Sequence, residues 1–191
     1  MSLKLFAPRT AQPIDLAAAK LHLRVDNSAE DALIDALIVA ATDDAEHLMG
    51  RALLPQKWQL TLDSFASDEI TLQRPTVTAV DSVKYLQASD GVLTTLANTE
   101  YTLAAASDFT ARLVPAFGKS WPATRAMPEA VQVVFSCGYA DAAAVPEPIK
   151  AWIKLRVGAL YANREGWTAG KKLEQNPHVD YLLDRYRVWT M

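Results

Sequence analysis

Three histidines, one cysteine and several carboxylate runs are the groups able to do chemistry in this 191-residue sequence. Their spacing decides which chemistry is open to them. A zinc site needs imidazoles or thiolates converging on one ion, as in His-Glu-x-x-His or paired Cys-x-x-Cys. His22, His47 and His178 stand far apart and fit neither spacing, so each reads as a surface or helix-end histidine. Cys137 follows the apolar run Ala130 to Ser136 and reads as a small buried side chain, not a nucleophile. Ser136 lacks the Gly-x-Ser-x-Gly elbow that would expose a hydroxyl nucleophile. The glycines form neither a dinucleotide fingerprint nor a Walker-type phosphate loop. Glu30-Asp31, Asp43-Asp44 and Glu46 sit on one predicted helix without converging as an acid–base or two-metal site requires. They read as a solvated or interface-facing acidic surface. No catalytic residue, metal ligand or cofactor is assigned, and the chain reads as a non-enzyme.

The basic and aromatic residues offer binding chemistry instead. Lys150, Lys154 and Arg164 fall on one predicted helix, Lys171 and Lys172 in a predicted loop, and Arg185 and Arg187 near the end. They could touch DNA in passing, without sequence preference, because no base-reading motif is present. Trp121, Trp167 and Trp189 lie outside the predicted strands and helices, where large aromatics serve as anchors for a partner. For Trp121 the alternative is a plug at the end of the β region. Charge is uneven: residues 1–25 carry +3, residues 26–110 carry −10, and residues 147–191 carry +3. An acidic middle argues against wrapping nucleic acid. It suits subunits that meet with opposite potentials facing each other.

The elements that must position these residues follow from periodicity. Asp15 is a plausible N-cap for a short helix over Leu16 to Leu23. Asn27 or Ser28 is expected to cap a second helix, whose apolar residues Leu33, Ile34, Leu37, Ile38, Ala41, Ala45, Leu48 and Met49 recur every three to four positions up to Gly50. After Pro55 the period becomes two, with Trp58, Leu60 and Leu62 alternating with polar residues. Short strands are expected at Glu69 to Leu72, Val80 to Leu86, Val92 to Leu96, Tyr101 to Leu103, Ala111 to Val114 and Ala130 to Ser136. Helical signals return at Pro148, which fits a first turn, and run to about Arg164; a final short helix follows Asn176-Pro177.

The predicted class is α+β. The N- and C-terminal helices (residues 1–54 and 146–191) are expected to pack together as one discontinuous helical bundle. A small antiparallel β-sheet or barrel, residues 55–145, is inserted between them. Half of the residues are hydrophobic, enough for a core that needs no metal or disulfide. A lone cysteine and no signal-like or membrane-length apolar run lead us to expect a soluble chain made in a reducing compartment, with no membrane partner.

Several stretches together resemble one family. They are Leu21-His22-Leu23-Arg24-Val25-Asp26, Glu30-Asp31-Ala32-Leu33-Ile34, Gly50-Arg51-Ala52-Leu53 and Gln56-Lys57-Trp58, then Val114 through Pro122, Val131 through Phe135 with Gly138-Tyr139, and Val145 through Lys150. In this order, over roughly residues 12–166, the chain resembles the head–tail connector (head-completion) proteins of tailed bacteriophages and prophages, in a subgroup with a β insertion. The resemblance implies a structural role: a ring bound beneath the portal protein that extends the DNA channel and offers a docking surface to the next connector or the tail. Its implied partners are further copies of itself, dodecameric in one reading and monomeric off the virion, together with the portal and a connector or tail protein. Its implied place is the host cytoplasm during assembly and then the head–tail junction.

A ring requires one patch to meet a different patch on the next copy. The candidates are Asp31, Asp35, Asp43 and Glu46 on the acidic side and Lys150, Lys154 and Arg164 on the basic side. Trp121, Trp167 and Trp189 are candidate docking residues, and Lys171 and Lys172 candidate channel contacts. Two other readings stay open: a tail-side or capsid-stabilising morphogenesis protein, and a carboxylate- or metal-dependent hydrolase or nuclease.

Overall fold

The computed structural model describes residues 1–65, 68–104, 107–164 and 177–188, with the side chains of Pro177 and His178 outside that set. In chain order the elements are β1 (Ser2–Ala7), α1 (Leu16–Leu23), α2 (Asp31–Met49), β2 (Gln56–Leu62), β3 (Ile70–Leu72), β4 (Val77–Leu86), β5 (Leu93–Leu96), β6 (Tyr101–Ala104), β7 (Ala111–Pro115), β8 (Val131–Cys137), α3 (Glu147–Ala162) and α4 (Pro177–Asp184). The class is α+β, as expected. Contacts divide the chain into a β unit, Met1–Thr10 with Pro55–Tyr139, and a helical unit, Ala11–Leu54 with Ala140–Met191.

In the β unit, five strands pair in the order β1-β2-β8-β4-β5 and three in the order β3-β7-β6, with every pairing antiparallel. Of the expected antiparallel sheet or barrel, the described residues form sheets and no closed barrel. β1 and β5 end the larger sheet at opposite edges and do not pair with each other, so both sheets are open among the described residues. Alternation places Val131, Val133, Phe135 and Cys137 of β8 on one buried face, with Leu60 of β2 opposite Val133 and Val83 of β4 on the other side of it. Gln59, Gln132, Val134 and Lys84 therefore stand on the opposite, outer face. In the smaller sheet, Ile70, Leu72, Ala111 and Leu113 are buried.

Strand β1 corrects the assignment of residues 1–54 to the helical part. Leu3 and Leu5 alternate with Lys4 and Phe6, so both faces carry apolar residues and no clear period appears. The strand lies at a sheet edge, exposed over most of its length, where burial imposes little pattern.

In the helical unit, α1 starts as predicted: Asp15 is the N-cap, and its carboxylate accepts from the Ala18 amide at 2.7 Å. Helix α2 starts later than expected. Asn27 accepts instead from the Ala29 amide at 3.0 Å, a local turn that competes with capping, and Glu30 is the N-cap residue. Gly50 ends α2 at φ +69°, the left-handed conformation glycine adopts without strain. The core is built from Ile34, Ile38, Ala41, Ala45 and Met49 of α2, Ile149, Trp152, Ile153 and Val157 of α3, and Leu183 of α4. The last described stretch returns to α2, where the Val188 amide donates to the Met49 carbonyl at 2.8 Å. No helix among the described residues is long and apolar enough to cross a membrane.

Candidate functional site

The charged residues of the helical unit are largely engaged within it. Lys20 of α1 meets Asp31 of α2 at 2.6 Å, and Arg156 of α3 meets Asp44 of α2 at 2.9 Å. Trp152 of α3 donates its indole N–H to Asp180 of α4 at 3.1 Å. At the other end of α3, Arg164 pairs with Glu30 at 2.7 Å while its guanidinium lies 4.7 Å from the Tyr161 ring centroid. The Tyr161 hydroxyl donates to the same Glu30 carboxylate. The hydrogen bond from Tyr161, and then that from Arg164, hold the Glu30 carboxyl below its ordinary value. By the same hydrogen bond Glu30 pushes the Tyr161 phenol up, and it holds Arg164 protonated.

This sorting separates the residues named as interface candidates. Asp31 and Arg164 face partners in their own chain. Lys150 pairs with Glu147 at 2.9 Å, with its side chain only 13% exposed. Glu46 is turned inward: it is 7% exposed, and its carboxylate accepts from the Leu53 amide at 2.8 Å, holding the turn after α2. A buried carboxylate so engaged has no surface to offer a partner. Asp35 and Asp43 are exposed on α2, and Lys154 is half-buried on α3. Trp121 is stacked on Phe65, with centroids 4.8 Å apart and planes 1° from parallel, and Phe65 lies 5.7 Å from Tyr85. Its ring thus faces its own unit. Trp167, Trp189, Lys171 and Lys172 lie outside the described residues.

Among the described residues, those weighed for catalysis are not brought together; the His178 side chain lies outside that set. Cys137 is buried, and its thiol points to the Gln56 carbonyl at 3.8 Å. His22 lies against Gly158 of α3, where a Cβ would come within 3.5 Å of its imidazole. His47 is exposed at the end of α2. Among the described residues no group of three or more histidine, cysteine or carboxylate side chains could hold a metal ion.

One exposed aromatic escaped the sequence reading. Phe117 is fully exposed at the tip of a turn after β7, closed by the Lys119 amide donating to the Ala116 carbonyl at 2.9 Å. Its signal was Phe-Gly beside the more conspicuous Trp121. Gly118 at φ +74° supplies the left-handed position such a turn needs. On the outer face of the larger sheet, a groove of about 220 Å³ is lined by Phe6, Lys57, Gln59, Lys84, Gln132 and Val134, among others.

Comparison with known proteins agrees with this picture of a folded scaffold. Residues 13–86 match the family model of phage gp6-like head-tail connector proteins. No curated protein matches the chain. Among solved structures, a chain in the neck of an empty gene transfer agent particle, computed with C6 symmetry, is 25% identical with a TM-score of 0.79, covering 100% of this chain and 97% of that one. A chain from the virion of the native gene transfer agent particle gives the same values. A chain from the neck of the native particle, computed with C12 symmetry, is 23% identical with a TM-score of 0.72 over the same shares of both chains. The resemblance read from the sequence is borne out across residues 13–86, which carry the phage gp6-like head-tail connector pattern, and the solved chains similar to this one belong to neck and virion structures of a gene transfer agent particle.

Proposed function

We propose that this chain forms a ring in the neck of a tailed particle, binding the portal on one side and the next connector or the tail on the other, with the DNA channel running through it. The observation that carries this reading is the likeness to gene transfer agent neck chains over all of this chain and 97% of theirs, which takes in both units. A ring fits the sixfold and twelvefold symmetry with which those necks were computed. The role is architectural, and the ordered polar groups described above serve packing, not turnover. The bundled helical unit supplies the frame and the β unit an added surface.

Within the ring, the exposed Asp35 and Asp43 on α2 and the half-buried Lys154 on α3 are the candidates for a contact between copies, acidic patch against basic, on the ground of their exposure and charge. The test is electron microscopy of the purified protein alone and mixed with portal, for the wild type and for Asp35→Lys/Asp43→Lys. The wild type adds a ring to the portal. The charge reversal weakens that addition, and less so at high salt, where screening has already removed most of the attraction. If the wild type leaves the portal bare, the connector reading fails. If the reversal changes nothing at low salt, this pair of patches is not the contact.

A further inference from the structure

The β unit carries a protruding aromatic and, elsewhere on the same unit, a groove suited to receive one. Phe117 is the most exposed large apolar side chain among the described residues. A single exposed apolar residue needs no explanation by itself. This one differs because its turn is built to hold it out. Besides the turn's own hydrogen bond, the Ala116 amide donates to the Glu100 carbonyl at 2.9 Å, and the Lys119 ammonium meets the Glu100 carboxylate at 3.2 Å. Strand β7 runs into the turn while still paired with β6, Pro115 opposite Tyr101. An aromatic held on such a turn loses little freedom on binding, which is what an interface anchor requires.

The groove offers matching chemistry. Phe6 and Val134 supply apolar wall, and the exposed Phe6 ring can meet another ring edge to face. Lys84 brings an ammonium group that favours an aromatic face, while Lys57, whose ammonium is paired with Asp81 of the same groove at 2.7 Å, offers its aliphatic stem. At about 220 Å³ the groove has room for one benzyl group.

We infer that the Phe117 turn of one copy seats in the Phe6–Val134 groove of the next copy, so that β units link around the ring. The inference rests on the connector reading above, since a ring of identical chains needs two different, complementary patches on one chain, and a projecting ring and a groove are one such pair. It adds a contact that the acidic and basic helices do not supply.

The test places the photo-crosslinking residue benzoylphenylalanine at position 117 of the full chain and irradiates purified necks. Crosslinks are expected to peptides of a second copy carrying residues 4–6, 57–59, 82–84 or 132–134. In parallel, Phe117→Ser should lower incorporation into necks about tenfold, while Phe117→Trp retains most of it. The melting temperature of the unassembled Phe117→Ser protein should match the wild type, because a fully exposed ring stabilises nothing in its own chain. Crosslinks to another protein or to the helical unit of a second copy, or a serine variant that assembles normally, overturn the inference and leave the connector reading standing. Necks that lack the wild-type chain overturn both.

Discussion

The helical unit and the β unit place their polar residues differently, although ion pairs such as Lys57–Asp81 and Lys119–Glu100 join segments in the β unit too. In the helical unit, charged groups tie one element to the next: Lys20 to Asp31, Arg156 to Asp44, Arg164 and Tyr161 to Glu30, Glu46 to the Leu53 amide. In the β unit the larger sheet buries one apolar face and leaves the other polar and open, with the Lys57–Asp81 pair lying on it at 2.7 Å. The difference teaches where an assembly protein has surface to spare. A carboxylate engaged inside its own unit must break that contact before it can meet a partner, whereas an outward sheet face is already available. That is why the candidates for contact between copies shrink in the helical unit and grow in the β unit.

The comparison can be tested by asking what each unit loses when its own kind of contact is removed. The largest effect should come from the apolar cores, where both units behave alike. Phe135→Ala in β8 and Ile38→Ala in α2, both fully buried, should each cost roughly 2–5 kcal/mol in denaturant unfolding, at unchanged m-value. Next comes Glu46. Replacing it by Ala leaves the buried Leu53 amide without its acceptor and should cost about 1–3 kcal/mol. By contrast, Asp81→Asn on the open sheet face should cost about 1 kcal/mol or less, since solvent screens its pairing with Lys57. Equal losses for Glu46→Ala and Asp81→Asn would remove the distinction between the units.

Legibility from the sequence followed burial. Helix α2 announced itself because one face is packed along its whole length, so Ile34, Ile38, Ala41 and Ala45 had to recur at helical spacing. Strand β8 did so because its alternate residues are buried. Strand β1 was hidden because an exposed edge strand is under no such constraint. The candidate site was less legible still. Nothing in local sequence tells that Glu46 turns inward toward the Leu53 amide while Asp43, three residues earlier on the same helix, is exposed. The sequence left Trp121 open as partner anchor or as plug of the β region; it stacks on Phe65, more than fifty residues away, and its neighbour Phe117 is the one left outside. Charge and aromaticity are written in the sequence, but the direction in which a side chain points is set by packing with distant segments.

The smallest expected effect lies in the Glu30–Tyr161–Arg164 contact, and it is read through pH. Glu30 has a folded-state pKa below the ordinary 4.5, so its ionised form is favoured by the fold. That contribution is fully present above pH 4.5 and disappears as pH falls through the lower folded value. Tyr161 has a folded-state pKa above the ordinary 10.0, so its neutral phenol is favoured. Its contribution is present below pH 10 and disappears as pH rises through the higher folded value. Since one hydrogen bond underlies both shifts, a single change should act at both ends. In Tyr161→Phe the acid-side loss should be smaller, because Arg164 alone then stabilises the carboxylate, and the alkaline-side loss from this residue should vanish. Glu30→Gln should abolish the acid-side contribution altogether. Unfolding midpoints measured from pH 2.5 to 5 and from pH 9 to 11 would show this. Unaltered acid-side slopes in both variants would mean that this contact, unlike Glu46, ties α3 to α2 without stabilising the helical unit.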